Sequence, residues 1–322
     1  MDRRRFVLTS LAGALAVPGA VGASPSRVAR IGALYLGTAD AETFKAELKE
    51  GLRELGYLEG KNIAFDFRSA EGILGRLPEL AGELVRQNPD VIVALYVPCA
   101  LAAKRATTQI PIVIIAGDPV ETGIVPNLAR PGGNITGVSL MASPLHGKSV
   151  ELFREMLPGS RRVGVLGHSP NPVFAKAMLD EVLLAGRRTG IEIRPVVMIQ
   201  GPGEADSAFA TMVRERADAV VVQGSLTLRP VTDMAIKHRM PTASTARAFA
   251  DIGGLMSFGA DGPAAFRHSA KFVHSILQGK KPKDIPIEQP TKLELALNLR
   301  TATAMGLKIP QSFLIRADVV LE

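Results

Sequence analysis

Val91-Ile92-Val93-Ala94-Leu95 carries no polar side chain, and runs like it recur along the chain between longer segments of helical period. Uninterrupted apolar strands of this kind belong in a parallel sheet covered on both faces. Strands are predicted at Val28 to Tyr35, Asn62 to Phe67, Val91 to Leu95, Ile112 to Ile115 and Ile135 to Leu140. Between them lie a helix from Asp40, with Phe44, Leu48, Leu52 and Leu55 on one face and Gly56 as its stop, and helices over Leu74 to Arg86 and Pro98 to Ala106. After the turn at Arg130-Pro131-Gly132-Gly133 the pattern restarts. Strands are expected at 162–166, 192–199, 219–222, 241–243 and 255–258, with helices at 145–157, 173–188, 204–216, 231–238 and 264–277. Two βαβ series of similar size predict an α/β fold of two Rossmann-like lobes with parallel sheets. Beyond them, Pro282, Pro286, Pro290 and Pro310 break the tail into extended pieces that suit connections between lobes, with one short helix near Leu299 to Met305.

Residues 1–23 read as an export signal. Arg3, Arg4 and Arg5 precede an apolar stretch, Phe6 to Val17, too short to span a bilayer, and Val21-Gly22-Ala23 suits signal-peptidase cleavage. The run Arg3-Arg4-Arg5-Phe6-Val7 also resembles a twin-arginine signal, with Asp2 and Leu8 departing from it. Removing this segment takes three basic residues and Asp2 from totals of 38 and 31, leaving 35 against 30 and a formal charge of +5. That excess is scattered, without the basic stripe or interleaved aromatics of a nucleic-acid binder. No later apolar run is long enough to be membrane-embedded. The single cysteine, Cys99, permits no internal disulfide, and no lipobox cysteine follows the cleavage site. The expected location is the periplasm, with the general secretory and twin-arginine routes both open.

Ligands of open α/β sheets sit outside the carboxyl ends of the strands. In the first lobe those positions hold Gly37 and Thr38, then Tyr96, Pro98 and Cys99, then Asp118. In the second they hold Ser169 and Asn171, Gln223 and Ser225, and Phe249; Thr136 in the fifth strand joins these candidates. Tyr35 and Tyr96 end strands expected to be neighbours, so each ring either stacks on a flat ligand or packs at the rim. Asp118 either binds a ligand amine or caps its own turn. Cys99 is either a nucleophile at a helix start or a small packing residue. There is no GxxxxGK[ST] or GxSxG, and the five histidines show no HExxH pairing. Catalytic residues, cofactors and metals are therefore not expected, and the chain reads as a non-enzyme.

Gly51 to Asn62, Gly117-Asp118-Pro119-Val120, Arg130 to Val138, Gly253 to Gly259 and Gln289 to Leu295 together resemble the ABC-transporter substrate-binding proteins of the tryptophan/tyrosine type. The resemblance implies a type I periplasmic binding fold, two Rossmann-like lobes joined by a three-segment hinge. With it comes a division into residues 24–140 plus 259–285 and residues 141–258 plus 286–322. It further implies capture of a small molecule between the lobes, aromatic amino acids being ligands of some members, and delivery to an inner-membrane ABC permease. Two departures mark the cleft: Tyr96-Val97-Pro98-Cys99 stands where Gly-Gly-Thr-Pro is frequent, and Ser225 where an acid is common. Two other readings remain open: a ligand-sensing receptor with a membrane partner, and an exported two-lobe enzyme such as a racemase using Cys99.

Overall fold

A computed structural model describes residues 27–168 and 172–322. The expected export signal and the candidates Ser169 and Asn171 lie outside the described residues.

The first lobe is built on β1 (Ala29–Tyr35), β2 (Ile63–Ser69), β3 (Val91–Leu95), β4 (Ile112–Ala116) and β5 (Ile135–Ser139). They lie in the order β2-β1-β3-β4-β5, parallel throughout, with β3, β4 and β5 buried along their whole length. Helices α1 (Ala41–Glu54), α2 (Leu77–Arg86) and α3 (Val97–Ala106) return the chain between strands. The expected amphipathic face of α1 is realised: Phe44, Leu48 and Leu52 are fully buried, whereas Leu55, just past its end, is exposed.

The second lobe opens with α4 (Ala142–Met156), β6 (Arg162–His168), α5 (Pro172–Thr189), β7 (Glu192–Ile199), α6 (Ala205–Arg214), β8 (Ala219–Val222), α7 (Arg229–Lys237), β9 (Thr242–Ser244) and α8 (Arg247–Asp251). It continues with β10 (Met256–Ala260), β11 (Leu293–Asn298), α10 (Leu299–Met305), α11 (Gln311–Leu314) and β12 (Val319–Leu321), while α9 (Gly262–Leu277), between β10 and β11, joins the first lobe. Its seven strands are ordered β12-β11-β10-β9-β8-β6-β7.

The tail corrects the sequence reading. It supplies more than connections, because β11 and β12 extend the second sheet and β11 runs antiparallel to β10. The four prolines fall outside both strands, so Leu293 to Asn298 keeps every amide for the ladder. Helix α10 falls where it was expected, started by Asn298, whose side chain accepts from the Thr301 amide, and ended by left-handed Gly306.

The chain passes between the lobes after β5, after β10, and between Glu288 and Leu293. Helix α9 follows a strand of the second sheet yet packs on the first lobe, where Phe266 meets Phe44 edge-on at 5.6 Å. Gly51 allows this approach: a β-carbon there would lie 2.6 Å from the Arg267 carbonyl oxygen. At the mouth of the cleft the lobes touch through main chain. The Ala39 amide donates to the Thr227 carbonyl at 2.9 Å and the Leu74 amide to the Gln200 carbonyl at 3.2 Å. Leu228 and Pro202 reach across to Gly72, whose φ of +76° suits glycine.

Candidate functional site

In both lobes the strand order reverses at one point, β1 beside β3 and β6 beside β8, and the crevices so made face each other. Between them lies a cleft of about 120 Å³, comparable with the roughly 150 Å³ apolar cavities that admit benzene. Val97, Leu140, Met178 and Phe266 give it apolar walls.

Asp40, just before α1, is the most buried acid of the cleft. Its Oδ1 accepts from Thr38 Oγ1 at 2.6 Å and its Oδ2 from the Tyr96 hydroxyl at 2.5 Å. Burial raises its pKa above the ordinary carboxylate value, against the lowering pull of those two bonds. Tyr96 takes a φ of +72° with a ψ of 157°, an extended conformation nearly confined to glycine that costs another residue about 1–3 kcal/mol. Its amide bonds to the Ile115 carbonyl at 2.8 Å and its ring reaches Asp40, so both ends hold it there. Burial, then the Asp40 charge, pushes the phenol's pKa well up, keeping it a donor.

Asp118, after β4, reaches the start of α4: its Oδ2 accepts from the Ser143 amide at 2.8 Å and from Ser143 Oγ at 2.6 Å. It thus caps a helix of the other lobe rather than its own turn. Among the described residues its Oδ1 accepts no hydrogen bond. Burial raises its pKa too, opposed by the Ser143 hydroxyl and amide. Arg247 is the only lysine or arginine lining the cleft among the described residues, and it is engaged by Asp251 at 3.0 Å and Glu294 at 2.8 Å. The two first-lobe carboxylates therefore face the cleft held by neutral donors alone.

Of the sequence candidates, Tyr96, Pro98, Asp118, Gln223 and Ser225 meet in this cleft. Thr38 stands behind it, supporting Asp40. The others are placed elsewhere. Tyr35 packs between Phe44 and Phe67 inside the first lobe, because β1 turns that ring toward α1. Gly37 makes a tight turn at φ +80° against Ser69. Thr136 is fully buried and donates to the Ile285 carbonyl, fastening β5 to the tail. Phe249 is buried in the second lobe, its ring occupying the space beside Gly254. Cys99 is fully buried in the first-lobe core, and burial pushes its thiol pKa up, away from the thiolate a nucleophile needs.

Sequence reasoning passed over Asp40, Ser143, His146, Met178 and Phe266 as contacts of the cleft, whereas Arg247 lies in the stretch Thr245 to Phe249 that it placed at a strand end. Asp40, Ser143 and Arg247 sit at helix starts; His146, Met178 and Phe266 carry no such local signal.

The model of the family described as ABC transporter substrate binding protein matches residues 39–321. A curated relative, the tyrosine-binding protein of Clostridioides difficile (strain R20291), is 27% identical over 263 residues, 80% of this chain and 75% of that protein. Among solved structures, a conserved domain protein of Vibrio cholerae superposes with a TM-score of 0.83 at 27% identity, covering 91% of this chain and all of the other. An ABC domain from Streptococcus pneumoniae in complex with L-Trp gives 0.82 at 25% identity, with the same coverage. From Ala39 in the first lobe to the last strand of the second, the chain belongs to the ABC transporter substrate binding protein family.

Proposed function

We propose that this chain is the periplasmic solute-binding protein of an ABC importer, that it captures a small ring-bearing amine such as an aromatic amino acid or a related compound, and that it delivers this ligand to an inner-membrane permease. One observation carries the ligand class. Asp40 and Asp118 are buried in the cleft with neutral donors only, and the cleft's one described cation is already paired. A buried carboxylate without a positive partner is costly, so a ligand ammonium is the complementary group. The cleft's size and apolar walls favour one aromatic ring beside that ammonium. The relatives support the same class, since one is named for tyrosine and another holds L-Trp.

Binding would draw the lobes together and present the closed form to the permease. The reading is tested by thermal-shift and calorimetric titration with aromatic amino acids and amines against their deaminated analogues. An amine is expected to bind, its deaminated analogue to bind at least tenfold more weakly, and Asp118→Asn to weaken the amine by about ten- to a hundredfold. Equal binding of amine and deaminated analogue would refute the assignment.

A further inference from the structure

On the second-lobe side, the cleft carries a further set of polar groups whose hydrogen bonds the described residues do not complete. His146 lies three residues after Ser143 on α4, so the two side chains share a helix face. His146 lines the cleft, is 2% exposed, and among the described residues neither ring nitrogen has a hydrogen-bond partner of full geometry. The main-chain groups of Ala142 and Val222 lie close enough to the ring to pull its pKa up against burial, although neither meets full hydrogen-bond geometry. Val222 ends β8, and the next three residues, Gln223, Gly224 and Ser225, line the same cleft. Ser225 Oγ is likewise buried and, among the described residues, without a partner. Burial holds the imidazole neutral, its pKa lowered to about 4, so at neutral pH it offers one N–H and one lone pair.

Two buried polar side chains without partners in one cleft are each destabilising until something pairs with them. The matching group must be uncharged and must both donate and accept. A hydroxyl does both; a carboxylate offers no proton to the imidazole lone pair, and an ammonium offers no acceptor to the N–H. We propose that His146 and Ser225 form a neutral hydrogen-bonding subsite that receives a ring hydroxyl, so that the cleft distinguishes phenols from the same compounds without the hydroxyl. This rests on the ring-and-amine reading above and specifies the far end of that ligand.

The experiment is isothermal titration of the mature protein with two matched pairs, L-tyrosine with L-phenylalanine and tyramine with phenethylamine. The hydroxylated member of any pair that binds is expected to bind at least tenfold tighter. In His146→Leu and in Ser225→Ala that preference should shrink to within about threefold, mostly through loss of affinity for the phenol. His146→Gln, which restores a donor and an acceptor, should recover part of it. A purely structural role for His146 would weaken both members equally in His146→Leu and leave the preference intact, which would overturn the proposal. Ser225→Ala removes one oxygen and tests the same point independently of folding at His146. Binding of a pair without hydroxyl preference would overturn this inference alone; binding of none of the four would overturn the ring-and-amine reading with it.

Discussion

Lowering the pH should weaken the second lobe through two histidines. His146 and His168 both have pKa values lowered by burial to about 4, from an ordinary 6.5. Each stays neutral in the folded chain while the unfolded chain takes up a proton below pH 6.5. The unfolded state then binds more protons, so stability is lost as pH falls from 6.5 toward 4 and is flat above and below that window. Between pH 7.5 and pH 5 each histidine removes about 2 kcal/mol, and the two together about 4 kcal/mol. Asp40 and Asp118 act in the opposite sense, because their raised values let the folded chain bind protons more readily. That opposing contribution is common to the parent and to histidine variants, so a comparison of slopes isolates each histidine. The assay is chemical denaturation at half-unit pH steps on the parent, His146→Gln and His168→Gln. Each variant should lose about 1.4 kcal/mol per pH unit of dependence in the window. A parent whose stability does not change between pH 7.5 and 5, or variants whose slopes match it, would refute the reasoning.

Other perturbations address closure, packing and reactivity. Gly72→Ala places a β-carbon 3.1 Å from Leu228 and 3.3 Å from Pro202, contacts made only when the lobes meet; ligand affinity should fall several-fold by calorimetry, and adding Leu228→Ala should restore part of it. Gly259→Ala puts its β-carbon 1.7 Å from the Thr245 carbonyl oxygen, an overlap with main chain that should remove about 3 kcal/mol or more from the second lobe by urea denaturation. Cys99, fully buried with its thiol pKa raised, should resist a thiol-specific disulfide reagent in the native protein and react fully in guanidinium; rapid labelling of the native chain would contradict its placement.

Much of the fold was legible because parallel strands buried on both faces leave an unmistakable trace. Val91 to Leu95 and Ala219 to Val222 are wholly apolar in sequence and wholly buried in structure. The tail was harder. Leu293 to Asn298 follows three closely spaced prolines, and its antiparallel pairing with β10, a contact distant in sequence, makes it a strand. The site was half visible for a related reason. Strand ends are local features, so the rule about carboxyl ends led to Tyr96, Pro98, Asp118, Gln223 and Ser225. The direction in which a side chain leaves a strand end is not local. Tyr35 and Tyr96 close adjacent strands, yet one ring turns into the core and the other, through a backbone of positive φ, turns to Asp40. His146 is a single residue midway along a helix, and only packing of α4 against the end of β8 turns it to the cleft.

The clasp at the mouth joins Ala39 to Thr227 and Leu74 to Gln200 through amides and carbonyls, not side chains. Main-chain groups are the same whichever amino acid occupies those four positions, proline on the donor side excepted. Substitution can therefore rewrite other parts of the cleft, including His146 and Ser225, without altering these two main-chain bonds between the lobes. Changes in the lining of the cleft can thus accumulate while these two bonds between the lobes persist.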